Sequence, residues 1–274
     1  MLFKKRDPNY DMSFLDHLEA LRWHVVRAVL VICTLGLVAF FNKELIFDGI
    51  ILAPKNTDFW TYRMLCLLGQ QLNIDMCITQ IDFSVINLDI SGQFTTHMWV
   101  AFVTGCVLGF PYLIWELWRF IKPALSEREI KYSNGIVFFT SLLFILGILF
   151  GYYIISPLSI NFLGSYKVSE EISNQISMAS YINIVTVMTL SCGFVFELPM
   201  VIYFLSKIGI MSPAFMRKYR KHAMVVNLIV AAVITPSPDV TSQMLVAVPL
   251  FLLYEISIFV SAAVERNKNK KSIA

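Results

Sequence analysis

The sequence predicts an all-α membrane protein, with six transmembrane helices forming one domain over residues 1–274. Composition is the first reason: 57% of the residues are hydrophobic and only 15% are charged, whereas soluble domains carry about 25% charged residues. The second reason is that apolar residues gather in runs near the ~20 residues that a bilayer crossing needs. The third is that Lys and Arg cluster between alternate runs. These features exclude a soluble globule and a disordered chain.

The first span is predicted from an amphipathic start that becomes wholly apolar. Ser13 with Asp16 three residues later is a capping-box pattern that begins a helix. Apolar residues then recur at helical spacing from Phe14 to Val29, and residues 28–41 carry no charge. One long helix is therefore expected, its first turns in water and its second half in the membrane.

A long polar segment, residues 42–93, ends the first span and is predicted to be an external loop. Its apolar stretches 50–53 and 64–68 are too short to cross a bilayer. They are expected to form short helices at the membrane surface.

The second and third spans are predicted from charge-free runs. Residues 90–115 form span two, and residues 116–132 form a charged connection. The run 133–166 is longer than one crossing needs, so Pro157 is expected to end the helix, giving span three at 134–155.

The last three spans include one that is too short for an ordinary bilayer. Span four covers 181–205 and contains Glu197, span five covers 223–235, and span six covers 240–264. The last two are joined by the proline-containing turn 235–239, and residues 265–274 form a basic tail. Span five would rise only ~20 Å against a hydrocarbon core of ~30 Å. Either it starts below the surface or the bilayer thins around it.

The basic residues fix the orientation. Of the 22 Lys and Arg residues, all but four lie in the N-terminal segment, the second-to-third and fourth-to-fifth connections and the tail. The exceptions are Lys43, Lys55, Arg63 and Lys167. The positive-inside rule places the basic side in the cytoplasm. A cytoplasmic-membrane protein with both termini inside is therefore predicted.

Several kinds of chemistry lack their motifs. HExxH, GxSxG, the GxxxxGK[ST] phosphate loop and GxGxxG are all missing from the sequence, so no catalytic site, cofactor or metal is expected. The net charge of +3 gives no reason to expect a nucleic-acid partner. Cys66 and Cys77 fall in the external loop, where either a disulfide or two free thiols would fit.

Ionisable groups in or near the spans are candidates for function because they are costly in lipid. Glu197 is the strongest candidate, since it lies among apolar residues; the alternative is a protonated or internally paired structural carboxylate. His97 is expected to be structural, Asp239 to cap span six, and Glu255 either to snorkel or to act. On the predicted cytoplasmic side, Glu19 and Glu129 lie among basic residues. They either belong to a solvated charged face or form a site that binds a guanidinium group.

Four segments occur together and cover nearly the whole chain. They are Phe14–Arg22 (FLDHLEALR), Trp118–Glu129 (WRFIKPALSERE), Gly193–Pro199 (GFVFELP) and Thr235–Gln243 (TPSPDVTSQ), which runs on to Pro249 and Tyr254–Glu255. In order and spacing they resemble the TatC family, the multispanning receptor subunit of the twin-arginine protein translocase.

The resemblance implies a fold and a function. It implies a concave, glove-like helical bundle that recognises signal peptides with two consecutive arginines on folded cargo. It also implies single-span partners of the TatA and TatB types, a homo-oligomer within a hetero-complex, and transport driven by the proton-motive force. The alternatives are a proton-coupled secondary transporter of a small solute that uses Glu197, and an intramembrane enzyme. The sequence has no internal repeat, which argues against the transporter. It has no set of nucleophilic or metal-binding residues, which argues against the enzyme.

The resemblance also implies the roles of particular residues. For signal-peptide binding it implies Glu19, Arg22, Phe120 and Glu129. Ala20 stands where the family usually has Glu; because one residue is ~100° around a helix, Glu19 is an imperfect substitute.

A second group of residues is implied to support translocation. Glu197, Gln243 and Asp239 are the intramembrane polar group, and Pro54 and Phe94 are the external-loop positions.

Overall fold

The computed structural model describes residues 14–73, 77–78, 83–122, 133–169, 171, 174–235 and 240–273. The regular elements of this part of the chain are helices and two short strands, β1 (Phe83–Ile86) and β2 (Asn174–Ser177). The α-helices are α1 (Phe14–Phe41), α2 (Lys43–Ile46), α3 (Trp60–Leu72), α4 (Gly92–Ile121), α5 (Ser133–Phe150), α6 (Ser156–Ser165), α7 (Met178–Val195), α8 (Leu198–Ile208), α9 (Pro213–Lys218), α10 (Arg220–Ile234) and α11 (Val240–Ile273).

Among the described residues, five helical stretches are long and apolar enough to cross a membrane. They are His17–Phe41, Gly92–Ile121, Gly135–Ser165, Met178–Ile208 and Gln243–Arg266. The predicted fifth span corresponds to α10, whose 15 residues rise about 22 Å. Its length agrees with the expected mismatch to a ~30 Å hydrocarbon core.

Glycines bring α1 and α4 into backbone contact. A Cβ atom on Gly105 would lie 2.6 Å from the carbonyl oxygen of Ile32 and 2.8 Å from the nitrogen of Gly36. A Cβ on Gly109 would lie 2.7 Å from the Ile32 side chain. Helices in lipid associate through such small residues, which allow the backbones to approach closely. The seam between α1 and α4 therefore depends on glycine at these positions.

The same device joins α5 to α7. A Cβ on Gly147 would lie 2.5 Å from the carbonyl oxygen of Cys192, and one on Gly193 would lie 2.9 Å from the Phe144 ring. The close crossing fixes the end of α7, immediately before Glu197.

The prediction that Pro157 ends the third span is wrong. The helix continues from α5 through the π-helical turn Gly151–Ile155 into α6. Pro157 lies in the first turn of α6, where its missing N–H is tolerated. Tyr153, four residues earlier, cannot receive the ordinary helical hydrogen bond, but the Thr61 hydroxyl of α3 donates to its carbonyl oxygen. A neighbouring element thus replaces the bond that proline removes.

Tyrosine hydroxyls fix the segment after α1 onto the bundle. Tyr62 donates to the carbonyl oxygens of Pro54 at 2.9 Å and Pro157 at 3.0 Å. Tyr152 donates to Ile50 at 2.7 Å, and Tyr181 donates to Ile51 at 3.0 Å. Burial raises the pKa of Tyr62 well above its ordinary value. The segment between α1 and α4 is thereby held against the third and fourth spans, at what we term the loop end of the bundle.

The two strands add a second tie at the loop end. β1 and β2 pair in parallel, with Phe83 opposite Asn174 and Ile86 opposite Ser177. Phe83 is buried and packs where Gly164 of α6 has no side chain. The sequence prediction of an all-α fold holds for the bundle, and this small sheet is an addition to it.

The opposite end, which we term the basic end, gathers the start of α1, the end of α4, α8, α9 and the second half of α11. The rings of Trp118 and Phe204 lie 5.6 Å apart. Ser206 donates to Ser261 at 2.8 Å. Glu255, predicted either to snorkel or to act, forms an ion pair with Arg220 of α10. These contacts bring the predicted cytoplasmic connections to one end.

Candidate functional site

The basic end of the α1–α4 seam is built on Phe120. The His17 ring stacks on the Phe120 ring with centroids 4.3 Å apart, and the His24 ring meets its edge at 6.1 Å. His17 and His24 are seven residues apart and so share one face of α1. The last turn of α4 is thereby fixed against the first turns of α1.

A buried carboxylate, Glu116, lies beside this aromatic contact. Only 1% of its side chain is exposed, and burial of an unpaired charge is costly. His24 Nδ1 contacts Oε2, and Tyr112 donates to Oε1 at 3.0 Å. Arg119 donates to the same oxygen at 3.1 Å, and Arg27 Nη1 lies 4.0 Å from Oε2. We term these five residues the Glu116 cluster. They join α1 to α4 at the point where the charge-free part of each helix meets its charged part.

The predicted signal-peptide residues are only partly brought together. Phe120 is half-buried between the two histidines, whereas Glu19 and Arg22 are exposed. Glu19 is two residues from His17, about 200° around the helix, and so points away from Phe120. Ala20 lies on the half-buried side. Glu129 lies outside the described residues.

Glu197 lies at a break in the fourth span. The helix α7 ends at Val195 and α8 begins at Leu198, with Pro199 in its first turn. The Glu197 side chain does not cap α8, and its Oε1 is buried without a hydrogen-bond partner among the described residues. Such an unsatisfied buried oxygen calls for a structural or functional explanation.

Aromatic rings pack beside that break. The rings of Phe110 and Phe144 stack with centroids 3.6 Å apart, and Phe194 meets Phe144 edge-on at 5.7 Å. Phe194 is nevertheless 56% exposed. The break is therefore supported by α4 and α5, while Val195 and Leu198 beside it pack against a cluster that contains Ala231 and Leu250.

The remaining intramembrane positions differ in what they contact. Gln243 Nε2 donates to the carbonyl oxygen of Leu228 at 3.1 Å, which ties α11 to the short helix α10. Asp239 lies outside the described residues. Both predicted roles, partner contact and helix cap, stay predictions.

The predicted external positions lie at the loop end. Pro54 is buried and its carbonyl oxygen accepts the Tyr62 hydroxyl, whereas Phe94 is 64% exposed near the start of α4. Of the two alternatives for Cys66 and Cys77, the structure has the disulfide, with Cα atoms 4.2 Å apart.

His97 is held by its neighbours at the same end. Its ring stacks on Phe40 with centroids 4.1 Å apart, and Nε2 lies 3.0 Å from the Phe40 carbonyl oxygen. These contacts agree with the structural role expected for it. It also lines a cavity of about 220 Å³ with Lys43, Glu44, Asp48 and Gln93, among others.

Comparison with known proteins decides the family. The family model described as Sec-independent protein translocase protein (TatC) matches residues 16–249. The chain belongs to the TatC family. It is 40% identical over 261 residues to the TatC protein of Blattabacterium sp. subsp. Periplaneta americana, covering 94% of this chain and 98% of that one. It is 31% identical over 263 residues to TatCy of Bacillus subtilis, covering 96% and 94%.

A solved TatC structure supports the fold along most of the chain. The crystal structure of the twin-arginine translocase receptor TatC is similar with a TM-score of 0.69 at 28% identity. The match covers 91% of this chain and 99% of that chain. The chain is thus a TatC-type component of Sec-independent protein translocation, a class of transport proteins rather than a known class of enzyme. The small-solute transporter is not favoured.

In this TatC protein, the Glu116 cluster is a feature that the charge pattern does not indicate. The charge pattern predicts that Glu116 lies in a connection, but α4 continues to Ile121 and carries it on a buried face. The available signal was the spacing: Tyr112, Glu116 and Arg119 are four and three residues apart and share one helix face. A predicted second span that continued about two turns past residue 115 would place these three side chains on one helix face.

Proposed function

We propose that this chain is the receptor and core subunit of a twin-arginine translocase in a cytoplasmic membrane. It binds twin-arginine signal peptides of folded proteins and exports them using the proton-motive force. The similarity to the twin-arginine translocase receptor over 91% of the chain carries this proposal. Its partners are single-span TatA- and TatB-type proteins, and several copies of the chain act within one hetero-complex.

The distribution of charge supports an orientation with both termini in the cytoplasm. All but four of the 22 Lys and Arg residues belong to segments that the orientation places inside. Contacts such as Trp118 with Phe204 and Arg220 with Glu255 gather these segments at the basic end. We therefore assign the basic end to the cytoplasm and the loop end to the outside.

We assign signal-peptide binding to the basic end, with Glu129 as the main contact. A guanidinium pairs bidentately with a carboxylate, and Glu129 follows α4 by a short segment whose start is fixed by Phe120. Glu19 is exposed but turned away from Phe120, so it supplies a weaker second carboxylate. Arg22, which is also exposed, is the remaining charged residue of the proposed signal-peptide site.

The first test is crosslinking of a twin-arginine peptide to the purified chain. We expect Glu129→Lys to abolish crosslinking because it places a cation against the guanidinium groups. The matched control is Glu127→Lys, which makes the same charge change two residues away and should crosslink normally. Intact crosslinking in Glu129→Lys, or equal loss in both variants, would contradict the assignment.

The second test is export in cells that lack their own TatC. We expect the chain, with its TatA- and TatB-type partners, to restore export of a folded reporter carrying a twin-arginine signal. Replacing the two signal arginines with lysines should abolish that export. Solute uptake without reporter export would refute the receptor proposal.

We propose that the intramembrane group acts after peptide binding. The Glu197 carboxylate lines the concave face and pairs with a polar group of a partner span or distorts the nearby bilayer. Gln243 and Asp239 contribute on the short-helix side, and Pro54 and Phe94 support translocation from the external segment. We expect Glu197→Ala to reduce export while peptide crosslinking persists; loss of the folded protein would instead assign Glu197 a structural role.

A further inference from the structure

Two antiparallel helices present the same Trp–Arg pair at the basic end. On α1, Trp23 precedes Arg27 by four residues, and on α4, Trp115 precedes Arg119 by four residues. Residues four apart share a helix face, and the Arg119 guanidinium lies over the Trp115 ring, 4.8 Å from its centroid. Both tryptophans are largely exposed, at 56% and 43%. The two pairs therefore form one outward-facing surface.

This surface carries more positive than negative charge. Arg27 and Arg119 share one carboxylate, Glu116, so a net positive charge remains even when His24 is neutral. Arg119 donates to Glu116 at 3.1 Å, whereas Arg27 lies 4.0 Å away. The two arginine side chains are 47% and 44% exposed, so donors of each guanidinium face outward.

The surface lies where the membrane begins. Arg27 is followed by the charge-free run 28–41, and Glu116 is preceded by the charge-free run 94–115. Charged residues at such a position meet lipid headgroups, and tryptophan is enriched at the same level. A phosphate group in the headgroup layer would therefore meet both guanidinium groups. The Trp115 ring would lie about one turn on the membrane side of Arg119, and the Trp23 ring about one turn on the water side of Arg27.

We propose that the Glu116 cluster, with Trp23 and Trp115, binds the phosphate of an anionic phospholipid between Arg27 and Arg119. Basic pockets between transmembrane helices bind anionic headgroups in this way. The site adjoins the proposed signal-peptide residue Phe120, whose ring packs on His24, but its excess positive charge suits a phosphate rather than a guanidinium group. It would couple the α1–α4 seam to the lipid composition of that leaflet.

The test is lipid retention by the purified full chain in detergent, measured by native mass spectrometry. We expect phosphatidylglycerol to bind more tightly than phosphatidylcholine. At about 1 kcal/mol per basic residue near the membrane surface, Arg27→Gln should weaken phosphatidylglycerol binding about 5-fold, at 1.4 kcal/mol per tenfold change in affinity. Arg27→Gln combined with Arg119→Gln should weaken it about 30-fold by the same conversion.

The matched control is Arg217→Gln, which removes one exposed charge from the same end of the bundle, away from the seam. It should leave the binding of phosphatidylglycerol unchanged. Equal binding of the two lipids, or equal weakening by Arg217→Gln and Arg27→Gln, would overturn the proposal. So would displacement of the lipid by millimolar inorganic phosphate, since that assigns the surface to the free ion.

Folding of the variants is addressed within the same experiment. Arg27 is not hydrogen-bonded to Glu116, so Arg27→Gln alone leaves the hydrogen bonds to Glu116 in place. If the double variant fails to fold, Arg27→Lys with Arg119→Lys decides the matter. This variant keeps the charge and should keep the preference for phosphatidylglycerol; loss of that preference in a folded Lys variant would count against a charge-based site.

Discussion

Replacing the buried carboxylate of Glu116 tests whether its cluster holds α1 against α4. Glu116→Gln keeps the side-chain volume but removes the charge. The His24 contact then changes from charge-assisted to neutral and Arg119 loses its ion pair, a loss of about 1 kcal/mol for each. The Arg119 side chain is 44% exposed and recovers part of this from solvent. We therefore expect a loss of about 1–2 kcal/mol in the free energy of unfolding.

Thermal unfolding of the purified protein in one detergent measures this loss. At about 2–4 °C per kcal/mol for a chain of this size class, Glu116→Gln should unfold about 2–8 °C below wild type. Glu19→Gln makes the same chemical change at an exposed position on α1 and should fall within 0.5 kcal/mol of wild type, as surface changes usually do.

A double-mutant cycle assigns the loss to the seam. Glu116→Gln and His24→Gln should be coupled by roughly 0.5–3 kcal/mol, the range for residues in one network. Additive effects of the two changes, or a Glu116→Gln variant that unfolds with wild type, would refute the view that the cluster holds the two helices together.

Two further predictions concern helix contact and the loop end. Gly105→Ala should lower the unfolding temperature, because its Cβ would lie 2.6 Å from a backbone oxygen of α1, while Gly135→Ala, with nothing within 4 Å, should be neutral or stabilising by up to about 1 kcal/mol. Equal effects of the two would contradict the close crossing. Tyr62→Phe should cost about 1–2 kcal/mol by removing a buried hydroxyl that donates to two carbonyl oxygens, and Tyr166→Phe, at an exposed position, should cost little. Because burial raises the pKa of Tyr62, its neutral form is favoured in the folded state. That contribution to stability is complete below about pH 10 and is lost as the pH rises further, so a Tyr62→Phe variant with the same alkaline unfolding profile as wild type would contradict the assignment.

Sequence patterns predict the spans well because a bilayer imposes long apolar runs and sorts the basic residues. The predicted span at 181–205 lies within a described helical stretch, and those at 90–115 and 240–264 overlap theirs from Gly92 and Gln243 onward. Helical phase also predicts that Glu19 is an imperfect substitute for a carboxylate at position 20, since the rotation per residue is a local property.

The features that sequence did not predict depend on contacts between distant segments. The third span continues past Pro157, and the Thr61 hydroxyl donates to the Tyr153 carbonyl there; no local sequence pattern records a partner so far away in the chain. From the sequence, Glu116 is predicted to be a charged residue of a connection. Its burial follows from its contact with His24 of α1, which only the structure shows. Charge and periodicity describe one segment at a time, whereas burial of a polar group is decided by the pairing of segments.

The passage of the third span through Pro157 makes part of that helix depend on another segment. Pro157 leaves the Tyr153 carbonyl without its ordinary helical partner, and the Thr61 hydroxyl of α3 donates to it instead. Tyr62 of the same helix donates to the Pro157 carbonyl at 3.0 Å. We therefore expect the loop-end turns of the third span to exchange their amide protons together with α3, as one cooperative unit, and faster than the glycine-packed part of the span. The last turns of a transmembrane helix are in this sense completed by a segment that precedes it in the chain.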